Sequence, residues 1–272
     1  MEVRHPTHPL DAKAYSSERL RQEYVLDNLM TEGRITLVYT HHDRMIAGGA
    51  VPGGKVLKLE TDDALKADYF LERRELGIIS TGTKGSVSVD GESFDLDNGD
   101  CLYVGRGAKD VKFSGQGSRF YLVSTPAHKS YPATKGTKKE ATIENLGSSE
   151  ACNERSIFKF IHPDGIRSCQ LVMGYTELKT GSIWNTMPAH THDRRSEIYF
   201  YFNMDKKNRV FHFMGEPDDT RHLILGNETG VISPSWSIHA GSGTGSYTFI
   251  WAMAGENQSF ADMDHVPVSG LK

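Results

Sequence analysis

Four side chains in the second half of the chain have types and spacings that suit a metal ion. His190 and His192 are separated by one residue, Glu197 follows after a short turn, and His239 lies further along the chain. Side chains at positions i and i+2 of a β-strand point to the same side, so both imidazoles of the pair can face one interior. Imidazoles with one carboxylate suit Zn, Fe, Mn or Ni, and the donor types alone do not choose among these metals.

A histidine taken alone is more often a surface residue, or a core residue with its hydrogen bonds satisfied, than a metal ligand. The spacing argues for a metal site here, because a glutamate follows the two histidines closely and the stretch Pro234-x4-His239 comes downstream. We therefore predict that His190, His192, Glu197 and His239 together bind one divalent metal ion.

Polar residues beside these ligands could act on a substrate. Arg194 and Arg195 occupy the turn between His192 and Glu197, and an arginine fork binds a carboxylate through two parallel hydrogen bonds. Tyr199 shares the face of Glu197 by strand alternation and could donate a hydrogen bond to substrate oxygens. Glu197 is also a candidate acid–base group, although a metal-bound carboxylate is a poor base. The candidate catalytic residues are Glu197, Arg194, Arg195 and Tyr199.

The candidate ligands and catalytic residues are expected to lie on short β-strands, because residues typical of turns occur at short intervals along the chain. The stretch Val87–Val89 meets Asp90-Gly91, a strong hairpin signal, before the next strand. Strands that recur about every 8 to 12 residues are typical of a sandwich or a small barrel. The clearest helix signal covers Ser17–Met30, capped by Ser16 or Ser17. We predict an all-β fold with a few short helices.

The two halves of the chain align with one another, which indicates an internal duplication. Gly99 to Lys109 can be laid on Thr229 to His239 without a gap, and Glu75 falls on Glu197. Leu71 falls on His192, so the first half keeps the glutamate but none of the histidines. We predict two domains, a lobe without metal ligands at residues 1–140 and a metal-binding lobe at residues 141–272. The polar stretch of residues 131–155 is interpreted as the linker.

Composition excludes several classes of partner. The net charge of −4 and the pI near 6.3 give no reason to expect nucleic acid. No apolar run approaches the roughly 18 residues of a membrane helix, and the first residues lack the layout of a signal peptide. The cysteines Cys101, Cys152 and Cys169 lie far apart without paired spacing, which favours a reducing cytoplasm.

The spacing of the four ligands resembles the paired motifs of the cupin superfamily. The first motif corresponds to Gly181-x8-His190-x-His192-x4-Glu197 and the second to Gly230-x3-Pro234-x4-His239. Two departures stand out, since the usual glycine lies closer to the first histidine and Trp236 replaces the usual glycine of the second motif. The second departure could narrow or cap the mouth of the barrel.

A more specific resemblance covers nearly the whole chain. Long strings rich in aromatic residues and arginine resemble the 5-keto-4-deoxyuronate isomerases (4-deoxy-L-threo-5-hexosulose-uronate ketol-isomerases). The strings are Tyr39–Arg44, Tyr69–Gly77, Leu102–Lys109, Leu178–Phe202, Ile232–His239 and Tyr247–Trp251.

This resemblance implies two cupin-type β-barrels, a bicupin, with one Zn²⁺ per chain on His190, His192, Glu197 and His239. It implies a homo-oligomer, a hexamer, that acts on a small uronate from pectin-derived material. The implied enzyme is a ketol-isomerase, an intramolecular oxidoreductase, that converts 5-dehydro-4-deoxy-D-glucuronate to 3-deoxy-D-glycero-2,5-hexodiulosonate.

Two alternatives use the same ligand set. An iron-dependent cupin dioxygenase binds its metal through the same histidines and glutamate, and a non-catalytic sugar-binding cupin needs no reaction at all. Iron content with oxygen uptake would favour the dioxygenase. A metal-free barrel that still binds uronates would favour the binding protein.

Overall fold

The computed structural model describes all 272 residues and consists mainly of β-strands. The two α-helices are α1 (Pro9–Lys13) and α2 (Ser17–Tyr24), and short 3₁₀ turns cover Asp63–Leu65 and Val268–Gly270. The strands, in chain order, are β1 (Glu2–Arg4), β2 (Val25–Leu26), β3 (Arg34–Thr40), β4 (Ile46–Val51), β5 (Leu57–Lys58), β6 (Arg74–Ser80), β7 (Gly85–Val89), β8 (Glu92–Leu96), β9 (Cys101–Val104), β10 (Val111–Ser114), β11 (Phe120–Pro126), β12 (Thr134–Gly136), β13 (Thr142–Leu146), β14 (Arg155–Ile161), β15 (Val172–Leu178), β16 (Trp184–Asn185), β17 (His190–Thr191), β18 (Arg195–Phe202), β19 (Val210–Glu216), β20 (Asp219–Leu225), β21 (Thr229–Ser233), β22 (Ala240–Gly243), β23 (Thr248–Gly255) and β24 (Asp264–His265). The all-β prediction is confirmed.

The chain divides into two compact units that exchange segments along the sequence. The first unit consists of Met1–Arg4, Asn28–Thr142 and Lys159–Met173, and the second of His5–Asp27, Ile143–Phe158 and Gly174–Lys272. The sequence prediction took residues 1–140 and 141–272 as two consecutive pieces. The main division lies close to that boundary. Two segments belong to the unit formed by the other half of the sequence: His5–Asp27 is part of the second unit and Lys159–Met173 is part of the first.

The first unit contains a seven-stranded sheet and a four-stranded sheet. The strand orders are β1-β3-β4-β11-β6-β9-β12 and β5-β10-β7-β8. Fully buried side chains from both sheets form one apolar core, for example Ile78 and Leu122 from the larger sheet and Phe113 from the smaller. The predicted hairpin is present, since β7 pairs with β8 through Asp90 and Gly91, both with positive φ.

Glu75, which aligns with the predicted metal ligand Glu197, is surrounded by hydrogen-bond donors of the first unit. It is fully buried, and its two carboxylate oxygens accept backbone N–H groups from Cys169–Leu171 at 2.7–2.9 Å. The hydroxyls of Tyr103 and Thr125 donate to it at 2.8 and 3.0 Å. This carboxylate therefore holds the segment Lys159–Met173 in the first unit, which explains one of the two exchanges.

The second unit repeats the two-sheet plan. Its strand orders are β13-β14-β15-β23-β18-β21-β2 and β16-β22-β19-β20, with a separate pair formed by β17 and β24. The predicted helix over Ser17–Met30 is shorter than expected and ends at Tyr24. Val25 and Leu26 continue as β2, because they pair with Val231 and Gly230 of β21. That pairing explains the second exchange, and the predicted cap is present, since Ser16 Oγ accepts from the backbone of α2.

The stretch of residues 131–155 is not simply a linker, as the sequence had suggested. It contains β12, which pairs with β9, and β13, which forms the edge of the larger sheet of the second unit. Most side chains of β13 are exposed. An edge strand of this kind has a polar composition, and for that reason it resembles a loop in the sequence.

No helix in the structure has the length and the apolar character needed to cross a membrane.

Candidate metal centre

Strand pairing in the second unit brings the four predicted ligands together. Glu197 lies on β18, opposite Ser233 at the end of β21. A tight turn follows, with Ser237 N–H donating to Pro234 O, and it places His239 just before β22. His190 begins β17, and His192 follows in the turn that leads into β18, where Arg195 N–H donates to His192 O at 3.0 Å.

The donor atoms of the four side chains lie within 4.8 Å of one another, and all four residues are buried. Nε2 of His239 lies 2.9 Å from Nε2 of His190 and 3.0 Å from Oε2 of Glu197. Nε2 of His192 lies 3.2 Å from the same carboxylate oxygen. Four ligands placed tetrahedrally at zinc bond lengths would be roughly 3.3 Å apart. The donor set and its spacing therefore fit a single divalent cation.

Hydrogen bonds on the far side of the rings orient two of the imidazoles. Nδ1 of His192 lies 2.7 Å from the backbone oxygen of Arg195, which can only accept. That nitrogen must carry the proton, so the Nε2 lone pair of His192 points to the centre of the cluster. Nδ1 of His239 lies 3.2 Å from Oγ of Ser233, which is consistent with the same tautomer.

The electrostatics of the cluster favour a neutral His190 beside an ionised Glu197. Burial, helped by the nearby His239, lowers the pKa of His190 to about 2. Burial alone would raise the pKa of Glu197, but the neighbouring imidazoles of His239 and His192 outweigh it, and this pKa lies well below its ordinary value. For His192, burial opposes the charged form, yet the hydrogen bond to Glu197 leaves its pKa raised. A carboxylate that stays ionised is the state that binds a cation.

A cavity of about 630 Å³ opens beside the cluster, and His190 and Glu197 form part of its wall. A volume of this size is typical of a small-molecule site. Strand alternation explains a further part of the wall, because residues two apart on one strand share a face. These alternating residues are Glu144 and Leu146 on β13, Arg155 and Ile157 on β14, Tyr199 on β18, and Phe249, Trp251 and Met253 on β23.

The end of the chain closes the cavity on another side. Phe260, Met263, His265, Val266 and Pro267 all line it, and we refer to residues 256–272 as the C-terminal strap. The strap is fixed by main-chain pairing, since β24 pairs with β17 and Val266 N–H donates to Ala189 O at 2.9 Å. No sequence signal predicted the strap, because this segment has no apolar periodicity.

Arg194 and Arg195, predicted to face a substrate, bind the strap instead. Arg194 donates to both carboxylate oxygens of Asp262 at 2.6–3.2 Å and to Asp264 at 2.8 Å. Arg195 is fully buried and donates to the backbone oxygen of Asp262 at 2.8 Å. Neither guanidinium lines the cavity. Acidic side chains 68 and 70 residues further along the chain thus bind Arg194, and a backbone oxygen of the strap binds Arg195. A direct role of the two arginines in the reaction stays a prediction.

Tyr199 lies on the cavity wall, as strand alternation predicted. Its hydroxyl is 3.0 Å from Oγ1 of Thr186, and burial, followed by the nearby charge of Glu197, raises its pKa well above the ordinary value. Tyr201 lies on the same face of β18 but deeper in the fold, where its hydroxyl hydrogen-bonds Nδ1 of His212 at 2.8 Å. The phenol of Tyr199 is therefore a protonated hydrogen-bond donor beside the four candidate metal ligands.

A model of the KduI/IolB family matches residues 25–268 of the chain. The 4-deoxy-L-threo-5-hexosulose-uronate ketol-isomerase of Bacillus subtilis is 52% identical over 275 residues, covering all of both chains. The protein of the same name from Caldicellulosiruptor bescii is 54% identical over 276 residues, again over all of both chains.

Solved structures show a similar fold at much lower sequence identity. An IolB-like protein from Salmonella typhimurium superposes with a TM-score of 0.68 at 14% identity, over 93% of this chain and 91% of that one. Oxalate decarboxylase from Lactobacillus farciminis superposes with a TM-score of 0.60 at 11% identity, over 87% of each chain. These likenesses confirm the bicupin fold.

Proposed function

The chain belongs to the KduI/IolB family. We propose that the protein converts 5-dehydro-4-deoxy-D-glucuronate to 3-deoxy-D-glycero-2,5-hexodiulosonate in the cavity beside the four candidate metal ligands. Its relatives are named as ketol-isomerases, and the protein is accordingly an isomerase, an intramolecular oxidoreductase. The observation that carries the proposal is the convergence of four metal-binding donors at a cavity of about 630 Å³, two of which, His190 and Glu197, form its wall.

The reaction exchanges a carbonyl and a hydroxyl between neighbouring carbons, so a hydrogen must leave one carbon and a hydrogen must be added to the other. His190, His192, His239 and Glu197 would hold the metal. A divalent cation held there would act as a Lewis acid and would stabilise the negative charge that develops during the reaction.

Two side chains on the wall act directly on the substrate in this proposal. Tyr199, whose raised pKa keeps it protonated, donates a hydrogen bond to one of the reacting oxygens. Glu197 would hold the cation together with the histidines, and it is also the candidate group for exchanging the proton between the two carbons, because its carboxylate is ionised and lines the cavity. The aromatic side chains of Trp251 and Phe249 exclude water from the enediol that forms.

Further features of the proposal rest on the donor set and on the family. We propose zinc, one ion per chain, because buried imidazole and carboxylate donors at these spacings suit its tetrahedral preference. The uronate would come from pectin or similar unsaturated material, and the enzyme would act as a homo-hexamer in the cytoplasm. The three free cysteines are compatible with a reducing compartment. Light scattering and metal analysis of the purified protein measure the oligomeric state and the metal.

The decisive experiment combines metal analysis with an assay on 5-dehydro-4-deoxy-D-glucuronate in the absence of oxygen. We expect isomerisation without nicotinamide, flavin or oxygen. Deuterium from solvent should enter the product, because the proposed route passes through an enediol. Full retention of the substrate hydrogen would indicate a hydride shift and would contradict the proton-exchanging role of Glu197. Metal-loaded protein that is inert on this uronate but consumes oxygen would overturn the proposal in favour of an iron dioxygenase. Binding of the uronate by metal-free protein without conversion would favour a sugar-binding protein.

A further inference from the structure

Arg155 is the only arginine or lysine side chain on the wall of the cavity. It is the first residue of β14, and it faces the cavity together with Ile157, two positions further along the same strand. No sequence signal distinguished Arg155, because it is remote from the metal ligands in the chain and stands at the end of a stretch interpreted as a linker.

The guanidinium of Arg155 is half-buried and anchored. Its Nη1 donates to the backbone oxygen of Asn153 at 2.9 Å. Burial lowers its pKa from the ordinary value, while the nearby Tyr199 and Glu144 act in the opposite direction. An arginine remains protonated at neutral pH under such a shift. The cavity therefore has a fixed positive charge close enough to Tyr199 for the two groups to interact.

The strand order shows how far apart Arg155 and the ligand Glu197 lie across the sheet. In the sheet, β14 and β18 are separated by β15 and β23, so three inter-strand spacings lie between Arg155 and Glu197. Three spacings amount to about 14 Å across the strands. Arg155 and Glu197 both line the cavity, and Arg155 interacts with Tyr199, which lies two residues beyond Glu197 on β18. A backbone separation of this order, shortened by the reach of the two side chains, is on the scale of a six-carbon acid. In the proposed substrate, the carboxylate and the reacting aldehyde are at opposite ends of such a chain.

We propose that Arg155 binds the carboxylate of the substrate and so selects uronates over neutral sugars and fixes which end meets the metal. This inference rests on the proposed function. A carboxylate bound by the metal itself would place the aldehyde at the wrong end of the cavity. The guanidinium fork instead holds the carboxylate through two charge-assisted hydrogen bonds and leaves the metal for the vicinal oxygens.

The test compares the uronate with its neutral methyl ester on the wild-type enzyme, Arg155→Met and Arg155→Lys. We expect wild type to prefer the acid to the ester by about 10- to 100-fold in kcat/KM, mostly through KM, as for a lost charge-assisted contact. Arg155→Met should lose a similar factor on the acid and no longer distinguish acid from ester. Arg155→Lys, which keeps the charge but not the fork, should fall between the two. Metal content should stay at the wild-type level in both variants.

Arg209→Met is the matched control. Arg209 is exposed, lies outside the cavity wall and also donates to backbone oxygens, at 2.7 and 2.8 Å. We expect its acid-to-ester ratio to equal that of wild type.

The outcomes separate this inference from the proposed function. If the wild-type enzyme converts the acid and the ester with equal kcat/KM, Arg155 does not bind the carboxylate, whatever the variants show. The proposed isomerase activity is not affected by that result. An undiminished preference for the acid in Arg155→Met or Arg155→Lys overturns the inference in the same way. Wild-type protein that converts neither compound overturns the proposed function itself.

Discussion

Glu75→Gln tests whether the first unit uses its buried glutamate as a structural anchor. In the structure, one carboxylate oxygen accepts Thr125 Oγ1 and the N–H groups of Gln170 and Leu171, while the other accepts Tyr103 and the N–H of Cys169. A glutamine can keep one oxygen in place, but its NH₂ group then faces the Cys169 N–H, donor against donor.

The cost of this substitution follows from the contacts. One buried backbone N–H loses its acceptor, at about 1–3 kcal/mol, and the remaining hydrogen bonds lose the assistance of the negative charge. We expect the free energy of unfolding of the first unit to fall by about 3–5 kcal/mol, measured by urea denaturation. Glu92→Gln on β8, an exposed carboxylate in the same unit, is the control and should change stability by less than about 0.5 kcal/mol.

The same variant also measures metal binding by the first unit. Bound metal per folded chain should be unchanged in Glu75→Gln, because hydrogen-bond donors of the protein surround this carboxylate. A loss of stability below about 1 kcal/mol would show that the five hydrogen bonds are not the anchor described here. A halved metal content would show that Glu75 is a metal ligand, as its alignment with Glu197 would otherwise suggest.

Four further outcomes follow from the second unit. His190→Ala and His239→Ala should each lower metal content and abolish activity in a folded protein, and full stoichiometric metal in both would refute the assignment of the ligands. Titration of the metal-free protein should reach one equivalent of zinc, and two equivalents of similar affinity would contradict a single site. Arg194→Met should raise KM and speed amide hydrogen exchange within the C-terminal strap, because the strap loses the hydrogen bonds from Arg194 to Asp262 and Asp264. Unchanged exchange would show that Arg194 does not fix the strap. Burial lowers the pKa of His212 from 6.5 to about 3 in the folded protein. Between pH 6.5 and pH 3 the unfolded chain therefore binds a proton at His212 that the folded protein does not bind, so the free energy of unfolding decreases as the pH falls below about 6.5. His212→Gln should remove up to about 1.4 kcal/mol per pH unit of that slope in urea titrations, and an identical slope would contradict it.

The four candidate metal ligands could be predicted from the sequence because the geometry that brings three of them together is local. A separation of two residues places His190 and His192 near one another, and a short turn returns the chain to Glu197. Only His239 required a long-range assumption, which the match to a known motif supplied. The all-β fold and the hairpin at Asp90-Gly91 were predictable for the same reason, since strand alternation and turn residues act over a few positions.

Other features depended on partners far away in the chain, which one sequence does not reveal. Arg194 and Arg195 have the right position in sequence for a substrate site, but the tertiary structure pairs them with the strap at Asp262 and Asp264. A guanidinium binds whichever carboxylate the fold brings to it, so residue type and local spacing could not distinguish a substrate from the protein itself.

Arg155 shows the reverse case. Its neighbours in the sequence are those of a polar connection, and its place on the cavity wall depends on β14 pairing into a sheet with β18 three strands away. The alternation of Arg155 and Ile157 was visible in the sequence, but which face of β14 meets the cavity was not. The sequence alone thus determined which groups could bind a metal, because strand and turn geometry is local. Only the tertiary structure decided which charge faces the cavity, because that depends on long-range strand order and on the charges that compete for each side chain.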